Sequence, residues 1–322
     1  MSDDARWMAE AVALGERGRG RTAPNPNVGC VIVKDGEPVG RGWTQPGGRP
    51  HAEAVALEEA GDAARGTTAY VTLEPCAHVS PRGPDCADLL IAAGVKRVVA
   101  ALGDPDPRID GLGFQRLRAA GLEVEAGIGA EAAERSMIGF FTRLRLGRPY
   151  ITLKLAMSID GKIALPSGES KWITGEDARA QVHLERARAD MILVGRGTYE
   201  ADKPRLDVRL PGMEDQSPRR ALLTRRDAVE GWTRLSNPEE VHGLQDVNDL
   251  LVEGGSGAAS AFLAADLVDR MLIYRAPLLI GEGKSSLGDI GLTHLADAHH
   301  RWRLTDTLAL GMDRLEVYER IR

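Results

Sequence analysis

With only three cysteines in 322 residues, the chain cannot carry a disulfide framework, and thiols are better used here as metal ligands in a reducing compartment. No apolar run approaches the ~18 residues of a membrane-spanning helix, which excludes that class. Aromatic residues are scarce, at 4%, and cations do not predominate: 41 Lys and Arg against 47 Asp and Glu give a net charge of -6. A nucleic-acid reader combines a basic face with stacking aromatics, so that class is disfavoured as well. Repeats and low-complexity tracts are missing, and 43% hydrophobic with 27% charged residues describes an ordinary globular chain. Its length exceeds what one core usually sustains, so two domains are expected. The start, Met1-Ser2-Asp3-Asp4, is acidic and leads into an amphipathic pattern, not a signal peptide, so a cytoplasmic location is expected.

What is present is concentrated between His51 and Cys86. His51, Cys76 and Cys86 offer one imidazole and two thiols, enough protein ligands for a catalytic zinc with its fourth position left for water. Glu53, two residues from His51, can face that water without binding the metal. H-x-E followed by P-C is the pattern of zinc deaminases, in which the metal activates water to attack an amine-bearing ring carbon and the glutamate carries the proton. The spacing departs from that pattern in one place: nine residues, Ala77 to Asp85, separate the two cysteines where two are usual. Cys30, in an apolar run, reads as a buried strand residue.

The periodicity around these residues alternates strand and helix. Helical spacing covers 4–17; strands are predicted at 28–33 and 38–43, joined by the Asp35-Gly36 turn. A helix follows over 51–60, then a strand at 68–73, a helix from Cys86 to Ala93 ending at Gly94, a strand at 97–101, a helix at 113–120 and a strand at 122–125. This βαβ alternation implies a sheet covered by helices on both faces. One helical stretch over 130–146 ends at Gly147-Arg148-Pro149, where the domain boundary is placed, giving domains 1–147 and 148–322. Strands then recur at 150–156, 191–194, 221–224, 249–252 and 270–279, with helices at 175–188 and 256–263; residues 200–220 and 225–248 read as long loops. Two glycine-bearing stretches, Gly195-Arg196-Gly197-Thr198 and Glu253-Gly254-Gly255-Ser256-Gly257, follow strands as phosphate-cradling loops do, yet neither is G-x-G-x-x-G, so they read equally as tight turns. Asn25 sits between Pro24 and Pro26, which fix its backbone, so its amide is either a reader of a ring edge or a bond within its own turn.

Taken together, Pro24-Asn25-Pro26-x-Val28-Gly29, His51-Ala52-Glu53, Thr72-Leu73-Glu74-Pro75-Cys76 and Cys86-Ala87-Asp88 resemble the deaminase half of the bifunctional deaminase–reductase of riboflavin biosynthesis. Lys154-Leu155-Ala156-x-Ser158-x-Asp160-Gly161, Ser167-Gly168-Glu169-Ser170-x-Trp172-Ile173-Thr174 and Leu251-Val252-Glu253-Gly254-Gly255 resemble its reductase half, in the same order. The resemblance implies a cytidine-deaminase-like three-layer α/β/α domain followed by a dihydrofolate-reductase-like α/β domain. It implies zinc-dependent deamination of a phosphoribosylamino diaminopyrimidinone, then NADPH-dependent reduction of its ribosyl group to ribityl. His51, Cys76 and Cys86 would hold zinc, with Glu53 as proton shuttle. Asn25 would contact the pyrimidine and Arg82 the substrate phosphate. Ser170, Arg186, Leu206, Arg209 and Glu253 would contact the reductase substrate, with the two arginines as phosphate clamps. Ala156, Trp172, Thr198, Asp202 and the turn Gly255, Ser256, Gly257, Ala258, Ala259, Ser260 would line NADPH. A homodimer or higher homo-oligomer is implied, with no nucleic-acid or membrane partner.

Two other readings carry their own signals. Lys203, where the family has a second Asp, and the short 225–248 segment would suit an active deaminase carrying a non-catalytic reductase domain. A nucleic-acid-editing deaminase is opposed by the net acidity and the few aromatics.

Overall fold

The computed structural model describes residues 3–78, 83–106 and 110–322. The chain divides into two compact units, Met1–Gly147 and Arg148–Arg322.

In the first unit the elements run α1 (Asp3–Gly15), β1 (Gly29–Lys34), β2 (Glu37–Trp43), α2 (Ala52–Ala60), β3 (Thr68–Val71), α3 (Cys86–Ala92), β4 (Arg97–Ala100), α4 (Leu112–Ala119), β5 (Glu123–Ala126), α5 (Ala130–Ser136) and α6 (Ile138–Leu146). The sheet order is β2-β1-β3-β4-β5, with β3, β4 and β5 parallel and β1 antiparallel to both its neighbours. Side chains alternate across a strand, and small residues here set how closely helices approach each face. A Cβ on Gly29 would lie 1.8 Å from the Ala11 carbonyl of α1; one on Gly42 would lie 2.2 Å from the Ala52 carbonyl of α2. Gly42 pairs with Cys30, the neighbour of Gly29, so the two helices lie on opposite faces. The expected three-layer arrangement is therefore formed. Cys30 is fully buried in this core, as expected. The single helix expected over 130–146 is two, because Met137 (φ -104°, ψ 20°) breaks the helical backbone.

The second unit contains β6 (Tyr150–Ser158), β7 (Lys162–Ala164), α7 (Glu176–Ala187), β8 (Met191–Gly195), α8 (Arg196–Asp202), β9 (Arg219–Leu223), β10 (Thr233–Leu235), β11 (Asp249–Glu253), α9 (Ser256–Ala264), β12 (Arg270–Ala276), β13 (Lys284–Ser285), β14 (Trp302–Leu310) and β15 (Asp313–Arg320). Eight strands form one sheet, β10-β9-β8-β11-β6-β12-β15-β14, parallel from β10 to β12, and a small β13-β7 ribbon stands apart. Two expectations need correction, and one strand went unpredicted. Residues 225–248 are not one loop, since they include β10 and a short helical turn at Pro238–Gly243. Gly195-Arg196-Gly197-Thr198 is no free turn but the entry to α8. Strand β14 was not expected: Trp302, Leu304, Leu308 and Leu310 alternate, but Asp306 and a bulge between Leu304 and Asp306 interrupt the pattern.

A buried carboxyl links the neighbouring strands β8 and β11 of this sheet at their amino ends. Asp190 Oδ2 accepts hydrogen bonds from the backbone N–H groups of Asn248 and Asp249, both at 2.9 Å. Burial, then the neighbouring Asp249, push Asp190 up to about 7 from 3.8. A carboxyl raised by folding stabilises while protonated, and that contribution is lost as pH rises from about 4 through 7. Asp190→Asn keeps an acceptor oxygen without the charge. Calorimetry should show the melting point of this variant raised by ~5 °C relative to the parent at pH 8 and little changed at pH 4.5. Equal shifts at both pH values would contradict the assignment.

Candidate functional site

His51 occupies the N-cap position of α2 and Cys86 the first residue of α3, while Cys76 follows β3. The long spacing between the cysteines is closed by backbone bonds. Cys86 N–H donates to Cys76 Sγ at 3.4 Å and Ala87 N–H to the Cys76 carbonyl at 3.1 Å. Helix α3 starts where it does because Asp85 caps it, accepting from Asp88 N–H at 2.9 Å and pairing with Arg116 at 2.7 Å.

The three donor atoms lie within 4.8 Å of one another. His51 Nδ1 is 3.3 Å from Cys86 Sγ and 3.6 Å from Cys76 Sγ. Zinc bonds of about 2.0–2.1 Å to nitrogen and 2.3 Å to sulfur set the donors of a tetrahedral site roughly 3.5–3.8 Å apart, so this constellation fits the ion. Its electrostatics fit too. The Cys86 thiol, donating to Cys76, holds Cys76 down to about 4, so one thiolate is ready-made. Burial pushes the His51 imidazole down, but Cys76 and Glu53 outweigh it and raise it. Glu53, at 3% exposure in the first turn of α2, is raised by burial against the opposing pull of His51.

The strut behind this cluster was not legible as a site. Glu74 is buried; its Oε1 accepts from Gly113 N–H (2.9 Å) and Phe114 N–H (3.2 Å), and its Oε2 from Gly111 N–H (3.1 Å) and Asp104 N–H (3.2 Å). One carboxylate thereby satisfies the amino end of α4 and fixes the Pro75-Cys76 segment. Only glycine fits at 113, where a Cβ would fall 2.0 Å from the Pro75 carbonyl. Glu74→Ala should cost roughly 3 kcal/mol by stranding these buried donors. Chemical denaturation would show the loss and competition with a chelator a weakened grip on zinc; unchanged stability would contradict the role.

Asn25 Nδ2 donates to the Gly48 carbonyl at 2.8 Å, so its amide is already oriented. Arg82 lies outside the described residues.

In the second unit the predicted residues gather along the carboxyl ends of β6, β8 and β11. Register pairs Glu253 with Lys154. Arg186 of α7 reaches the same carboxylate with two bonds, Nε–Oε1 at 2.7 Å and Nη2–Oε2 at 2.9 Å, while Lys154 Nζ stands 3.9 Å from Oε2. Burial pushes Glu253 up, but Arg186 and then Lys154 outweigh it and hold it below the carboxylate range. Burial also lowers Lys154. A lysine in the apolar strand Tyr150–Ser158 was the available signal for this missed member. Arg186 also donates from Nη1 to the Asp207 carbonyl at 3.0 Å, so its guanidinium is held in one orientation. Arg209 remains more available: its side chain is 58% exposed and its ion pair with Asp207 is long, at 3.5 Å.

Leu206, at φ 57°, packs its side chain with Ile192, Val194 and Leu251. Ala156 lies in β6, half-buried, and Ser170 in the loop before α7. Trp172 is exposed beneath Arg179, 4.7 Å from its ring centroid. Thr198 Oγ1 accepts from Gly255 N–H at 2.9 Å, joining the loops after β8 and β11. Asp202 ends α8, exposed, and Lys203 is that helix's left-handed cap. Residues 255–260 are not a turn: helix α9 begins at Ser256, so Gly255, Ser256 and Gly257 stand at its start while Ala258, Ala259 and Ser260 are buried.

With this geometry in place, the similarities are specific. Residues 1–102 match the cytidine and deoxycytidylate deaminase zinc-binding region, and residues 149–315 match the RibD C-terminal domain. The riboflavin biosynthesis protein RibD of Escherichia coli K12 is 42% identical, covering 92% of this chain and 94% of that protein; its Haemophilus influenzae counterpart is 39% identical over 97% and 96%. Among solved structures, Acinetobacter baumannii RibD superposes with a TM-score of 0.90 at 37% identity, covering 99% of both chains. A Thermotoga maritima diaminohydroxyphosphoribosylaminopyrimidine deaminase/5-amino-6-(5-phosphoribosylamino)uracil reductase gives 0.88 at 30%, with the same coverage.

Proposed function

Because this chain belongs to the RibD family of riboflavin-biosynthesis enzymes, we propose that its two units divide two consecutive reactions between them, residues 1–147 deaminating and residues 148–322 reducing. The protein is a bifunctional deaminase and reductase that uses zinc and NADPH. Its substrate in this reading is 2,5-diamino-6-(5-phosphoribosylamino)pyrimidin-4-one.

In the deaminase unit His51, Cys76 and Cys86 hold zinc. When bound, zinc supplies the Lewis acidity that brings a water towards hydroxide near neutral pH. Glu53 takes the proton of that water on its carboxylate and delivers it to the departing amine, a task suited to a carboxyl whose burial raises its proton affinity. Asn25 presents a pre-oriented amide to the ring edge. In the reductase unit the hydride comes from NADPH when bound. Opening the ribosyl ring and completing its reduction require protons to move beside the reacting carbon, and Glu253 with Lys154 forms the buried acid–base pair suited to moving them. Arg186 keeps Glu253 charged and oriented. Ser170 and Arg209 meet the substrate's polar end.

The observation that carries this reading is the His51, Cys76 and Cys86 cluster with Glu53 beside it. His51→Ala tests the division of labour: ammonia release should fall below detection while NADPH oxidation with the deaminated substrate continues. Loss of both together would contradict it. No helix among the described residues is long and apolar enough to cross a membrane. The net charge of -6 supports a cytoplasmic enzyme of small molecules that binds no nucleic acid. We read the chain as a homodimer or higher homo-oligomer, and light scattering at the monomer mass would overturn that.

A further inference from the structure

Resting on the deaminase reading above, the rim of the zinc cluster holds a cation that no step so far uses. Two loops build that rim. Gly47 N–H donates to the Arg21 carbonyl at 2.8 Å, and Asn25 Nδ2 donates to the Gly48 carbonyl at 2.8 Å, so the two loops are tied together. Only glycine fits at 48, at φ 84°, where a Cβ would fall 2.1 Å from Asn25 Nδ2. Arg49 follows in extended backbone (φ -152°, ψ 150°), two residues before the ligand His51. Its side chain crosses to the loop between the two cysteines. There Nη1 stands 3.4 Å from the place a Cβ on Gly83 would take, three residues before Cys86. Arg49 is half-buried, and its guanidinium has neither a hydrogen bond nor an ion pair among the described residues. Asp85, on the same loop, is already committed: it caps α3 and pairs with Arg116 at 2.7 Å. A half-buried guanidinium without a counter-charge is costly, and an anion bound beside it offsets that cost.

We propose that Arg49 receives the phosphate of the deaminase substrate and makes the first unit select the phosphorylated compound over the same compound without phosphate. The reacting amine is on C2 of the ring, and the phosphoribosylamino group is on C6, across a ring nitrogen. With C2 at His51, Cys76 and Cys86 and a ring edge at Asn25, the phosphate extends away from the metal, toward the rim where Arg49 lies. A guanidinium meets a phosphate with two parallel bonds, and a neutral sugar hydroxyl gives it no such partner. The contact is remote from the reacting carbon, so it decides which compound is held there.

Ammonia release from the two compounds, with and without the phosphate, tests this on the full zinc-loaded chain, Arg49→Gln and Arg49→Lys. The parent should favour the phosphorylated compound in kcat/KM. Arg49→Gln should lose about 30-fold on that compound, mainly through KM, and less than about twofold on the unphosphorylated one. Arg49→Lys keeps the charge but not the two-bond fork and should fall between. Ribose 5-phosphate should compete with substrate in the parent and about tenfold more weakly in Arg49→Gln. Equal loss on both compounds would make Arg49 a structural support for His51 and overturn the proposal, as would an unchanged preference. A parent that acts equally on both compounds would overturn it and leave the deaminase reading intact. A parent that releases ammonia from neither would overturn the deaminase reading itself. Zinc measured in each variant keeps loss of the metal apart from loss of the contact.

Discussion

Replacing Glu53 by glutamine is expected to reduce deaminase turnover by about 10²–10⁴-fold while the protein keeps its zinc. The side chain is almost fully buried, two residues from a metal ligand, and its burial raises its affinity for the proton it must carry. Glutamine has nearly the same shape but cannot accept and return a proton. His51, Cys76 and Cys86 are unchanged in the variant, so zinc content measured by atomic absorption should stay near that of the parent. Reduction of the deaminated substrate should be unaffected, since its residues belong to the second unit. Chelation of the parent should reproduce the loss, and added zinc should reverse it in the parent but not in Glu53→Gln. Turnover within tenfold of the parent would contradict the assignment of Glu53.

The second large effect is expected at Glu253. Glu253→Ala strands Arg186 and Lys154, two cations largely buried beside it. Breaking a buried charge cluster by removing one partner costs about 3–5 kcal/mol, far more than the intact cluster contributes. The second unit of this variant should therefore melt well below the parent and lose NADPH oxidation. Ammonia release by the first unit should survive at temperatures where the second remains folded. Glu253→Gln separates stability from chemistry, because it still offers Arg186 an acceptor oxygen but carries no proton. Its melting point should fall less than that of Glu253→Ala, and its reductase turnover should still drop roughly 100-fold. A Glu253→Gln enzyme with near-parent turnover would reduce this residue to a structural anchor.

The zinc cluster was legible because its chemistry demands particular side chains in a particular order, and folding only had to return Cys76 to Cys86. The backbone bonds from Cys86 and Ala87 to Cys76 accomplish that across a spacing that looked too long. Glu74 was opaque for the opposite reason. Its partners are backbone N–H groups 30 to 40 positions away, which have no sequence signature. Strands with apolar runs, such as β8 and β11, announced themselves, whereas the exposed edge strand β14 did not. In the reductase unit the motif strings located the right rim of the sheet but not the state of each side chain. The bidentate bond of Arg186 to Glu253 and the packing of the Leu206 side chain with Ile192, Val194 and Leu251 have no signature in those strings. Lys203, a departure from the motif, caps α8 in the left-handed conformation, which the motif does not reveal.

The most direct test of the central claim, that one chain performs both reactions, is a single reaction vessel. It holds the purified zinc-loaded protein, the diamino substrate and NADPH, with ammonia and NADPH followed together. The account predicts one ammonia released for each NADPH oxidised, with oxidation lagging behind ammonia and beginning at once when the deaminated substrate is supplied instead. Ammonia release with no NADPH oxidation on either substrate would contradict it and leave the second unit without a catalytic role.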